Sequence, residues 1–77
     1  MNKQKRKAID EIVEQLRALY DQLETLQEEE QDCYDNMPES LQYSEKGEAM
    51  SAAVDQLDNA KSSVEEAIVV LDEVLNQ

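Results

Sequence analysis

Asp35-Asn36-Met37-Pro38-Glu39-Ser40-Leu41-Gln42-Tyr43-Ser44-Glu45-Lys46-Gly47 contains the only proline and the only glycine of a 77-residue chain. Pro38 disfavours the helical region for Met37 and removes a backbone donor, so a helix arriving at this segment stops near Asn36. Asn36 tolerates the left-handed conformation of a helix C-cap. Ser44 is a good N-cap for a second helix, and Glu45 and Glu48 sit at its positive end. Between them, residues 38–41 are expected to make one short helical turn, with Met37, Leu41 and Tyr43 plugging the end of a bundle. Gly47 weakens a first turn by up to about 1 kcal/mol relative to Ala. Close backbone approach by the loop or by the first helix would explain it.

On both sides of this break the sequence is periodic. Before it, an unbroken heptad places Ile9, Ile12, Leu16, Leu19, Leu23, Leu26, Glu30, Cys33 and Met37 at positions a and d. Glu30 is the one polar member. The adjoining e column is Val13, Tyr20, Gln27 and Tyr34, which widens the seam toward that of a bundle core. After the break, a and d hold Met50, Ala53, Leu57, Ala60, Val64, Ala67, Leu71 and Val74, with Val54, Lys61, Ile68 and Leu75 at e. The d column here is mostly Ala, which lets a neighbouring helix come close and be filled by a larger side chain.

The expected fold is all-α: one domain over 1–77, with a first helix at about 3–36, a loop at about 37–44 and a second helix at about 45–76. Equal lengths and a short connection favour an antiparallel helical hairpin. Two helices cannot each bury a three-column stripe, and a chain of this size is marginal for a self-contained core. A symmetric homodimer forming a four-helix bundle solves both problems. Ile68, Val69, Val70 and Leu75, apolar on more than one side of the second helix, are the expected interface.

Composition narrows the chemistry. The chain has 19 acidic and 7 basic side chains, a net charge of −12, one Cys and no His. That excludes a zinc finger, a His-based acid/base and the Ser-His-Asp or Cys-His pairs of nucleophilic catalysis. A single Cys makes no intrachain disulfide. The acidity repels nucleic acid and anionic membrane. The basic start is not followed by an apolar stretch of signal-peptide type, and the longest apolar run, Ala67 to Leu71, is far too short for a membrane span. The expected setting is cytoplasmic.

The segment from Tyr34 to Glu48 resembles the central signature of short acidic proteins encoded by phages and prophages of Gram-positive bacteria, which read D-N-x-P-E-x-L-Q-x-S between two Glu-rich helices. The resemblance implies an origin and a helical hairpin. No activity is assigned to that group, so it implies no mechanism.

The candidate sites each compete with a plainer reading. Lys3, Lys5, Arg6 and Lys7 could touch nucleic acid or lipid, but are read as a solubilising frayed end, which could also pair with acids of the neighbouring helix such as Asp72 and Glu73, because residues 8–77 hold all 19 acids against Arg17, Lys46 and Lys61. Glu28, Glu29, Glu30, Asp32 and Asp35 project around a helix without the sharp turn of a calcium loop, so they are a solvated face. Glu30 is expected to face a wet gap or a partner's cation. A di-iron site of the ferritin type lacks its His ligands. Cys33, at d, is read as a small core residue, and Tyr20 and Tyr34 as the rim of the core with wet hydroxyls. Tyr43, Glu39 and Glu45 around the loop are the expected partner contacts.

No cofactor and no catalysis are expected. The leading reading is a small, acidic, self-associating interaction module whose partner is a host protein with a basic surface. The alternative is an inhibitor that mimics nucleic acid, with carboxylate pairs such as Asp21/Glu24, Glu28/Asp32, Asp55/Asp58 and Glu65/Glu66 standing in for phosphates. A ligand-holding oligomer pore has only the spare apolar surface in its favour.

Overall fold

The computed structural model describes residues 1–77 and is all-helical. Helix α1 runs Lys3–Asp35, the single turn α2 runs Glu39–Gln42, and α3 runs Glu45–Leu75. α1 and α3 lie antiparallel along one another as a hairpin 58 Å long and 15 by 13 Å across.

Local chemistry sets the ends. Asn2 caps α1 by accepting a hydrogen bond from the Lys5 amide at 2.8 Å. Ser44 caps α3 by accepting from the Gly47 amide at 3.3 Å. α1 does not stop on a left-handed residue: Asn36 sits at φ −85°, and no residue has positive φ. A closing group also comes from α2, where the Gln42 side-chain amide donates to the carbonyls of Tyr34 and Met37. Gln42 thereby adds a side-chain donor to the backbone bonds that already close α1, from the Asn36 amide to Asp32 and from the Met37 amide to Tyr34.

Gly47 is buried, and the carbonyls of Leu41 and Gln42 rest on its Cα closer than any Cβ would allow. The close approach therefore comes from the turn and not from α1. It folds α2 back onto the start of α3.

The hairpin closes through columns a and e. Every a and e residue from Arg6 to Met37 and from Gly47 to Leu75 is buried or half-buried. Only Val13 and Ile68 fall below a tenth exposed among the side chains, at 3% and 8%. The d column of α1, expected in the core, is outside it: Ile12, Leu19 and Leu26 are 46, 49 and 51% exposed, and Cys33 is exposed. On α3, Ala60 and Ala67 are exposed while Ala53 and Val74 at the ends are half-buried. The reason is geometric. A helix facing a single neighbour presents an arc about two columns wide, and here e displaces d.

Candidate functional site

In an antiparallel pair the sense of winding reverses together with the chain direction, so a given heptad letter falls on the same flank of both helices. Columns b and f share one flank of this hairpin, and columns d and g share the other.

The b/f flank is charged and cross-linked. Arg17 and Asp72, both at b, form the one ion pair, at 3.0 Å. Beside them Arg17, Tyr20, Asp21, Glu65, Ile68, Val69 and Asp72 line an open groove of about 420 Å³. Further along, Lys61 donates to Gln27 at 2.9 Å and lies 5.4 Å from the centre of the Tyr20 ring. The same Gln27 donates to the Val54 carbonyl and to Asp58, both at 3.4 Å. This network replaces hydrophobic contact in the middle of the seam. Its signal in the sequence was the placing of Gln27 and Lys61, one polar and one charged residue, in the e columns of the two helices.

The d/g flank has no polar link between the helices. Along α1 it presents Ile12, Leu19, Leu26 and Cys33 at d, with Ala8, Gln15, Gln22 and Glu29 at g. Along α3 it presents Ala53, Ala60, Ala67 and Val74 at d, with Ala49, Gln56, Ser63 and Val70 at g. Glu29 is the only one of the 19 acidic residues in a d or g column. Lys5 and Lys46 occupy the d positions at the outer ends of the two columns.

The expected site residues separate accordingly. Ile68 is part of the hairpin's own core and is not free surface. Leu75 is half-buried against α1. Val69 and Val70 are each 50% exposed, but on opposite flanks: Val69 lines the charged groove, and Val70 lies at g on the bare side. Tyr43 is 76% exposed at the tip of the turn, and Glu39 and Glu45 are exposed beside it, in the first turns of α2 and α3. Cys33 is exposed rather than core.

Two further readings change. Asp72 pairs with Arg17, not with the basic tail. Arg6 is the tail residue that engages α3, and it does so by donating to the main-chain carbonyls of Leu75 and Gln77. α3 has no basic residue in its own last turn, so Arg6 brings the positive charge that a helix C-terminus favours. Tyr20 and Tyr34 are half-buried, and Glu30 is half-buried without an ion pair. No group of three or more metal-ligating side chains is placed to hold an ion. No helix is long and apolar enough to cross a membrane.

Compared with protein families, curated proteins and solved structures, the chain matches none.

Proposed function

We propose that this chain is a non-catalytic interaction module: a helical hairpin that self-associates into a four-helix bundle and turns its acidic surface toward a protein with a basic surface. One observation carries the reading. The hairpin leaves the apolar d column of α1 half-exposed while 18 of its 19 acids lie off that flank. A chain that sorts its surface in this way has one side suited to association and another suited to charged recognition. The phage-like loop signature fits a small accessory protein of this kind, and Tyr43, Glu39 and Glu45 are its candidate contacts at the bundle end.

Size-exclusion chromatography with light scattering tests self-association: a mass twice 8.8 kDa is expected. A folded single chain at micromolar concentration would sink the reading. Affinity purification from the source cell then addresses the partner.

The second reading, a nucleic-acid mimic, is favoured by the exposure of Asp21, Glu28, Asp32, Asp55, Asp58, Glu65 and Glu66 outside the bare flank. It predicts that nucleic-acid-binding proteins are recovered from host lysate at low salt and released at high salt. Recovery of none at low salt removes it.

A further inference from the structure

We infer that the d/g flank is the dimer face, that its occupant is a second copy of this chain, and that the two copies are related by a two-fold axis parallel to their length, so that α1 of each lies on α3 of the other with both turns at the same end. This inference rests on the self-association proposed above and specifies its surface and geometry.

Four observations lead to the second copy. The first is direction. In each helix the a/d stripe points between the partner helix, met by a and e, and the bare flank, met by d and g. That is the arrangement of a four-helix bundle with half of its helices missing. The second is charge. Two chains of −12 repel one another, and the d/g flank, where Glu29 is the one carboxylate, is the side on which they can meet with the fewest opposing charges. The third is size. The flank runs along a body 58 Å long and 15 Å wide, a footprint comparable to the roughly 800 Å² each partner gives to a standard interface.

The fourth observation chooses the orientation. Arg6 reaches Leu75, Tyr20 lies beside Lys61, and Gln27 beside Val54. Level residues of the two helices therefore have numbers that add to 81. On that scale Leu19 is level with a point between Ala60 and Ala67, and Leu26 with a point between Ala53 and Ala60. With the two-fold axis along the length, α1 of one copy stands over α3 of the other at the same level. Leu19 then drops between Ala60 and Ala67 of the second copy, large side chains seated between small ones. A two-fold axis across the length instead sets leucine against leucine and alanine against alanine. One helix pair is then forced apart while the other closes.

Val69 and Val70 supply a matched test, being the same residue type at neighbouring positions with equal exposure on opposite flanks. Lysine is the substitution of choice because it does not add to the negative charge. Sedimentation equilibrium on the full chain is expected to show Val70→Lys weakening association at least tenfold, and Leu19→Lys/Leu26→Lys abolishing it, with Val69→Lys unchanged. Circular dichroism separates dissociation from unfolding. If the double variant loses its helices, the Val69/Val70 pair still decides the face. A wild-type chain that stays single overturns self-association itself. A dimer indifferent to Val70→Lys but broken by Val69→Lys leaves self-association standing and overturns this face.

Orientation is read from spin labels on Tyr43→Cys in a Cys33→Ser background. Turns at the same end give a short separation, and a separation approaching the 58 Å length of the hairpin overturns the axis.

Discussion

The two flanks of this hairpin are built from the same heptads and differ in nearly every physical respect. On the b/f side the helices are joined by Arg17–Asp72 and by the Lys61–Gln27–Asp58 chain. On the d/g side nothing polar joins them, and a row of Ile, Leu and Cys faces outward beside a row of Ala. The difference teaches that a hairpin can hold its own shape with two columns, a and e, and leave a third for something else. Polar side chains on and beside the charged flank also tie the two helices together, Lys61 reaching both Gln27 and the Tyr20 ring. The bare flank carries apolar surface that a lone hairpin leaves wet.

The largest effect should come from the boundary between the flanks and the core. Ile68 and Val69 are neighbours, yet one is 8% and the other 50% exposed. Ile68→Ala is expected to lower stability by about 2–4 kcal/mol through lost burial and an unfilled cavity, whereas Val69→Ala stays within about 0.5 kcal/mol. Urea denaturation of both variants at one protein concentration checks this. Equal losses would mean that the core is not where a and e place it.

Next in size is the turn that makes flanks possible at all. A methyl group on Gly47 would collide with the carbonyls of Leu41 and Gln42. Those are main-chain atoms, which yield less easily than the end of a flexible side chain. Gly47→Ala therefore costs about 1–3 kcal/mol from overpacking, even though Ala is otherwise the better helix former. Thermal melts would read the loss. A gain in stability would show that α2 does not sit on α3 in this way, and the return of the chain would need another explanation.

Salt gives a smaller effect with an informative sign. An assembly of two copies carries a charge of −24, twice that of the chain. Screening the repulsion between copies strengthens association by about tenfold between low salt and roughly 0.5 M. Sedimentation at both salt concentrations checks it. Association that weakens with salt would mean that the copies are held by ion pairs, and the bare flank would lose its role.

Much of this architecture was legible in the sequence, because punctuation and periodicity are local. Pro38 and Ser44 bracket the turn, and the cap at Ser44 follows from residue type. The heptads were also readable, but not which of their columns would face inward. A stripe of a, d and e says only that three columns are apolar. Which two the neighbouring helix covers depends on the roll of each helix about its axis. That roll was set by contacts between residues far apart in sequence, such as Gln27 with Lys61 and Arg6 with the end of α3. For the same reason Val69, Val70, Ile68 and Leu75 were grouped as one interface although they fall on three different sides. Cys33 and the leucines above it, read as core, lie outside the core that the single hairpin makes for itself.

The smallest prediction concerns the one ion pair, and it asks what holds the charged flank together. Arg17 and Asp72 are 59% and 40% exposed as side chains. In water the attraction at that distance is screened, and ordering two flexible side chains offsets much of what remains. Arg17→Met keeps the aliphatic stem over the groove and removes the charge. The expected loss is no more than about 0.5 kcal/mol, read as a small shift in a urea melt. Association should be unaffected, because Arg17 lies on the flank away from the proposed interface. A loss several times larger would mean that the pair, and not the a/e seam, fixes the spacing of the helices. The charged flank would then be structural cement, leaving less of it free to meet a partner.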